Sequence, residues 1–591
     1  MAATWGGRWL ERSLASIRDV HDSRASRRWW PWAAVTVVAL VGAVALNVHV
    51  WTLSSTRATT CSCADASLTA WFLEWPWAAI RQGHAIWFSR SMFFPQGTNL
   101  LSNTGYLAIG VVSLPLTALF GPLATFNTWL VLGPTLTTLA MTRFATRFTT
   151  SFGAAAIAGL FFGFAPLVIY SIPLGHLNMV VLAGPPLIAT AWWDFLRSPS
   201  RRGAFTLAAW FIIQFFVSTE IFAICVIASV LFLTLSWPHR DERTFTSRDL
   251  IRAALPGVIV LAGVLALPTY YALYGPSSYQ GAIWGGSLST ASVAGFFFHS
   301  SHYALWWPRH RFLYLPPTYL SPGLLALSVV LWRRARGRAL VVAAGLLVGG
   351  SWLALGSHYW YSAWHWIGRI GPLVSLVNER FAIIEMMGAA LIVALGAQWI
   401  MSLRIKRLGR PLVVVVLAAV LAPYLVNITH GAPYQAQRVW EPTWFKTQAA
   451  TLPPHDVVLA FPFFNTSANY LSVQALHQMS FDMVGGTSPQ WLPSRQGFAQ
   501  PGYTEIWRMA NGRQYPNLSW HPTPQEIHRV QSALRYWHVN DVVIPFDVGP
   551  TTSRAARAPL TIALWMVGIL GQPRQVAGAW VWHYPHGYGQ S

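Results

Sequence analysis

Four ionisable side chains in this sequence are best placed to do chemistry: Asp65, His176, Glu220 and Arg380. Asp65 follows the first apolar run, in Cys61-Ser62-Cys63-Ala64-Asp65, and precedes Trp71-Phe72-Leu73-Glu74-Trp75. A carboxylate at a membrane surface, ahead of a tryptophan-rich amphipathic helix, suits the removal of a proton from an acceptor hydroxyl beside a lipid-borne donor. The same residue would also serve as a plain cap for a helix beginning near Ser67. Gly175-His176-Leu177-Asn178 is a turn between two apolar segments. His176 and Asn178 suit sugar hydroxyls or a phosphate, and His176 is a type that titrates near neutral pH, although a simple polar turn would read alike. Glu220 interrupts an apolar stretch over 204–236. Ionisable groups at membrane depth are costly and commonly line cavities, the alternative being a cap or an inter-helix hydrogen bond. Asn378-Glu379-Arg380 opens another apolar run, where a guanidinium can grip phosphate through two hydrogen bonds or simply snorkel to the interface. His302, Arg309, His310 and Arg311 gather with Trp306 and Trp307, a cationic and aromatic group that calls for a local anion or forms an interfacial belt. Glu74 reads as a solvated face residue, and Glu385, inside a helix, is assigned no role.

The elements that carry these residues are membrane helices. The chain has 591 residues, 54% hydrophobic and 10% charged, with mean hydropathy +0.40, a composition that excludes a soluble domain of this size. Its apolar runs of about 18 to 23 residues match the roughly 20 needed to cross a bilayer as a helix. The net charge of +21 is carried almost wholly by arginine, in short segments between apolar runs. That pattern is positive-inside bias and excludes nucleic acid as the partner. Only Lys406 and Lys446 are lysines, which with abundant Arg, Ala and Trp reads as a GC-rich bacterial composition. Cys61, Cys63 and Cys225 have neither disulfide nor metal spacing.

Arginine-bearing segments near 143–147, 197–202, 240–252, 333–338 and 404–410 are expected in the cytoplasm, as is the arginine-rich N-terminus. Residues 30–53 then form a retained first helix. Apolar segments at 152–173, 177–196, 204–218, 220–236, 251–273, 314–332, 338–356, 380–402 and 410–427 separate the arginine segments by even numbers of crossings. This parity leaves Asp65, 175–178, 218–220, 274–313, 357–379 and everything after 428 outside. The stretch 105–143 is broken at Gly121-Pro122 and allows one net crossing, with one part re-entrant or interfacial. The expectation is a polytopic α-helical membrane protein of about 11 to 13 transmembrane helices. Its parts are a cytoplasmic segment 1–29, a membrane domain 30–427 with an outer loop 54–104, and a small extracytoplasmic α/β domain 428–591. The last rests on strand-like Val457 to Phe461 and Val542 to Ile544, a helix-like Pro524 to Trp537, and a run Ile562 to Leu570 too short to span a bilayer.

The arrangement resembles the polytopic glycosyltransferase C superfamily, and within it a bacterial branch of membrane glycosyltransferases. The matching residues are Asp65 with Trp71, Leu73 and Trp75; Phe93-Phe94-Pro95-Gln96-Gly97-Thr98-Asn99-Leu100; Gly175-His176-Leu177-Asn178; and Arg380-Phe381. The likeness covers about residues 30 to 430. Ala64 and Ala66 depart from the pattern, and a lone Asp65 stands where many members have two adjacent acids, so no cofactor is assigned and a divalent-cation requirement stays open. The resemblance implies transfer of a sugar from a polyprenyl-phosphate donor to a glycan or glycolipid acceptor at the outer face of a bacterial plasma membrane. Asp65 would be the general base, and His176, Asn178, Glu220, Arg309, Arg311 and Arg380 would bind substrate. A flippase for a lipid-linked sugar, or a non-catalytic scaffold of the same fold, are the alternatives.

Overall fold

A computed structural model describes residues 29–53, 56, 58–60, 64–102, 105–238, 245–278, 291, 293–297, 315–334, 337–357, 359–370, 373, 376–402, 409–461, 470–486, 501–510, 521–547 and 558–590. Arg309 and Arg311, with His302, Trp306, Trp307 and His310, lie outside the described residues.

The protein is mostly helical. Numbering the longer elements, α1 (Trp30–Leu46) is followed by α2 (Ala64–Gln82), α3 (Leu114–Ala145), α4 (Phe152–Gly163) and α5 (Pro166–Leu174). Then come α6 (Gly184–Arg197), α7 (Arg201–Val217), α8 (Thr219–Ser236), α9 (Ser247–Tyr274), α10 (Pro322–Arg334), α11 (Arg338–Ala354), α12 (Ala382–Ser402) and α13 (Gly409–Gly431). Among the described residues, five segments are long and apolar enough to cross a membrane: Leu114–Ala145, Phe152–Leu174, Thr219–Ser236, Ser247–Tyr274 and Asn378–Ser402. With shorter apolar helices such as α1 and α11 they form a multi-pass bundle.

Local chemistry sets the helix ends. Ser151, Ser200 and Ser218 accept hydrogen bonds from the first-turn amides of α4, α7 and α8, and Thr246 with Asp249 forms a capping box on α9. The break at Gly121 is present as a single residue at φ 82° inside α3, so the apolar residues before it do not continue the same helix axis. α12 is buried along nearly its whole length, and α9 lines the rim. α11 and α12 touch backbone to backbone: a Cβ on Gly350 would stand 2.3 Å from the Glu385 amide nitrogen, and one on Gly388 2.3 Å from that of Leu347. Small residues at such a crossing let dispersion hold helices together where lipid supplies no hydrophobic drive.

A five-stranded sheet follows the bundle: β1 (Val457–Ala460), β2 (Asp482–Met483), β3 (Asp541–Pro545), β4 (Arg574–Val576) and β5 (Ala579–His583), in the order β2-β1-β3-β5-β4. β1 is parallel to both neighbours, while β3, β5 and β4 pair antiparallel. Helices α14 (Tyr470–Leu476), α15 (Pro524–Tyr536) and α16 (Pro559–Leu570) accompany it. The segment Ser91 to Phe94 runs along β2, with Met483 N donating to Ser91 O at 3.0 Å and Phe94 N donating to Met483 O at 3.0 Å. Trp71 Nε1 donates to Gln474 Oε1 on α14 at 2.6 Å, and Gln474 Nε2 donates to Ser91 O at 2.6 Å. The sheet is therefore fastened onto α2 and the loop that follows it.

Candidate active site

Asp65 stands in the first turn of α2, and the backbone explains how its partner reaches it. Gly175 ends α5 at φ 75°, a left-handed conformation that favours glycine, and a Cβ there would stand 2.8 Å from Ala66 Cα. The turn consequently presses against the start of α2, with Thr69 Oγ1 donating to Gly175 O at 3.2 Å. His176, the next residue, brings Nε2 to 2.9 Å from Asp65 Oδ2. Asp65 remains more than half exposed, so one face of its carboxyl is open to a ligand. Desolvation raises its pKa, but the hydrogen bond and charge of His176, together with the charge of Arg380, outweigh that and hold the carboxyl below its ordinary value. At neutral pH Asp65 is an ionised proton acceptor.

Glu220 and Arg380 form the second pair. Glu220 lies in the first turn of α8 behind its Ser218 cap, and Arg380 lies in the 3-10 turn Asn378–Phe381 that leads into α12. Arg380 Nη1 donates to Glu220 Oε2, and the Val377 amide donates to Glu220 Oε1 at 3.2 Å. Of the expected binding residues, Glu220 thus holds Arg380 through its side chain. Asn178 is buried and accepts a hydrogen bond from Tyr106 Oη at 3.3 Å through Oδ1.

Sequence reading did not single out Tyr106. It caps the short helix Leu107–Val112 with φ 49°, which is strained for a tyrosine. Burial pushes its phenol up to about 12, so it stays a donor at physiological pH. Glu74 corrects the reading of a solvated face: it is 1% exposed, and its pKa is raised to about 8 by burial, partly offset by Arg81.

Asp65, His176, Asn178, Glu220, Arg380 and Tyr106 stand at one end of the bundle, where α2, α8 and α12 all begin. Their N-terminal amides add positive potential there. The arginines of α3, α6, α7, α10 and α11 (Arg143, Arg197, Arg201, Arg333 and Arg338) occupy the opposite helix termini. Among the described residues, no three His, Cys, Asp or Glu side chains are grouped so as to hold a metal ion. The motif residues divide by task. Asp65 and the Gly175 to Asn178 turn meet at the site. Trp71 and Trp75, stacked with 5.6 Å between ring centroids, clamp α2 to the sheet region with Phe93 and Phe94. Asn99 ties the loop internally by accepting from the Leu101 and Ser102 amides, and holds α9 by donating to Tyr271 O at 2.9 Å.

This architecture, a polytopic helical bundle with a small sheet fastened onto it, is a glycosyltransferase C-like fold. The chain is similar to arabinofuranosyltransferase AftD from Mycobacteria, with a TM-score of 0.59 and 16% identity over 96% of this chain and 40% of that one. A mutant of the same enzyme matches with a TM-score of 0.58 and 16% identity, over 95% of this chain and 42% of that one. The chain spans about two fifths of the length of these neighbours. No protein-family profile matches the chain, and no curated protein matches it in sequence.

Proposed function

We propose that the protein is a membrane glycosyltransferase that moves a sugar from a polyprenyl-phosphate donor to a cell-envelope glycan or glycolipid acceptor. The observation that carries this reading is the open, ionised Asp65, held by His176 within the field of Arg380. In the proposed step Asp65 accepts the acceptor hydroxyl proton as that oxygen attacks the anomeric carbon. The bond from anomeric carbon to phosphate oxygen breaks, and its electron pair leaves with the polyprenyl phosphate. Arg380, oriented by Glu220, meets the charge that develops on the departing phosphate. Direct displacement inverts the anomeric centre. Asn178 and His176 contact the sugar, and Arg309 and Arg311 add cations for the lipid phosphate.

The orientation follows from positive-inside bias. The arginine ends of the helices face the cytoplasm of a bacterial plasma membrane, while the site and residues 428–591 face outward. Residues 30–427 are the catalytic membrane domain in this reading.

The test is transfer of labelled sugar from polyprenyl-phosphate donors in membranes carrying wild type or Asp65→Asn at matched expression. Arabinofuranose is the first sugar to try, because one structural neighbour is an arabinofuranosyltransferase. We expect transfer by the wild type and a loss of about 10²- to 10⁴-fold in the variant, the usual contribution of a general base. Lipid binding without transfer from any donor would favour the flippase.

A further inference from the structure

Beyond the site, the chain between α11 and α12 carries an exposed aromatic surface that the reaction does not use. Along α11, Val341, Val348 and Trp352 are exposed at spacings of seven and four residues, one face of a helix. That apolar line continues past the helix end into the turn that follows, where Trp360 is 75% exposed, Trp366 63% and Ile370 55%. The turn is held in shape from within. Trp352 Nε1 donates to Tyr361 O at 2.7 Å, and Leu355 O accepts from both Ser362 Oγ at 2.8 Å and Asn378 Nδ2 at 3.0 Å. His365 Nδ1 donates to Ser357 O at 2.9 Å, and its Nε2 accepts from Arg369 Nη2 at 3.0 Å. The Arg369 guanidinium lies 5.6 Å from the Trp366 ring centroid.

We propose that residues 359–370 are a seat on the bilayer itself, with Trp360, Trp366 and Ile370 in the headgroup and upper acyl region and Arg369 bound to the phosphate of a net-anionic phospholipid. Two observations select a lipid surface over a protein partner. The patch is continuous with the membrane-facing line of α11, so a partner would have to reach across lipid. It also combines tryptophan faces with one outward cation at a helix end, the composition that favours the interface. Arg369 stands at the end of α11 opposite Arg338, so cytoplasmic positive bias does not account for it.

The test uses the full chain in nanodiscs, in a background carrying Cys61→Ser, Cys63→Ser and Cys225→Ser. An environment-sensitive nitrobenzoxadiazole label is attached at Ile370→Cys, at Trp360→Cys in a second variant, and at Gln575→Cys on β4 as an exposed reference. With shallow doxyl-labelled phosphatidylcholine, quenching at 370 and 360 is expected to be several-fold stronger than at 575, with blue-shifted emission. Equal quenching at all three sites would overturn the seat. Adding Arg369→Ser to the Ile370 label variant is expected to lower quenching when anionic phosphatidylglycerol is present and to leave it unchanged in pure phosphatidylcholine. An equal effect in both lipids would overturn the phosphate contact. These readouts need no sugar transfer, so they stand or fall apart from the enzymatic reading.

Discussion

Among the described residues, two short aspartate–histidine pairs of nearly the same length have opposite electrostatics. At the bundle head, Asp65 Oδ2 lies 2.9 Å from His176 Nε2; in the sheet, Asp541 Oδ1 lies 2.8 Å from His583 Nδ1. Asp65 has its pKa lowered, while that of Asp541 is raised, because burial outweighs what His583 supplies. Asp65 gains a second cation, Arg380, whereas His583 is the one group that lowers Asp541 against its burial, and Asp541 in turn raises the carboxyl of Asp456 after that residue's own burial. Contact with a histidine therefore does not by itself decide the direction of a carboxyl's pKa shift. Exposure of the carboxylate and the sign of its further neighbours decide whether it is ionised and reachable.

The largest separation between the pairs should come from the matched substitutions. Asp65→Asn is expected to remove transfer by the orders of magnitude given above with little change in melting temperature, and Asp541→Asn to leave transfer within about twofold. Comparable losses in both would break the contrast.

The Glu220–Arg380 pair sharpens it further. Arg380→Ala leaves Glu220 poorly exposed and without its cation, a destabilisation of about 3 kcal/mol. Adding Glu220→Gln should restore most of that stability, read as thermal unfolding in detergent, without restoring transfer. Recovered activity in the double variant would assign the arginine a purely structural role.

A smaller effect is expected at Tyr106. Tyr106→Phe removes one hydrogen bond to Asn178, worth about 1 kcal/mol, and should lower kcat several-fold with KM for the donor little changed.

The smallest is a pH dependence of stability. The lowered pKa of Asp65 contributes stability above the ordinary carboxylate value of 3.8, lost as pH falls through the lower folded value. The raised pKa of Asp541 works in reverse: its contribution is present below 3.8 and lost as pH rises through the higher folded value. A carboxamide at this position cannot ionise, so Asp541→Asn should raise the melting temperature more at pH 7 than at pH 4, by a degree or so for each ~0.3 kcal/mol. A gain that is constant with pH would mean that the Asp541 carboxylate is not strained by burial.

Much of the architecture was legible in the sequence because hydropathy and charge are local sums. Apolar runs of sufficient length, interrupted by arginine segments, put Asp65, His176, Glu220 and Arg380 at one end of the bundle by counting crossings alone. The Gly121 break and the β1, β3 and α15 segments followed from equally local signals. Glu74 did not, because an acid on an amphipathic helix looks solvated until the surface covering it is known. Tyr106 did not either, since its left-handed backbone is imposed by its surroundings.

By itself, then, the sequence determined a polytopic membrane protein with its polar residues at one end, the consequence of transfer free energies that each segment obeys alone. Only the tertiary structure decided which polar residues became partners: Asp65 with His176 across 111 residues, Glu220 with Arg380 across 160, and Trp71 with Gln474 across 403. Those choices depend on how each helix is rotated and how closely its neighbours approach. Contacts such as Gly175 against Ala66 and Gly350 against Glu385 set that rotation and spacing. A one-residue turn of α2 about its axis would carry Asp65 about 100° away from His176, with every apolar run left as it is.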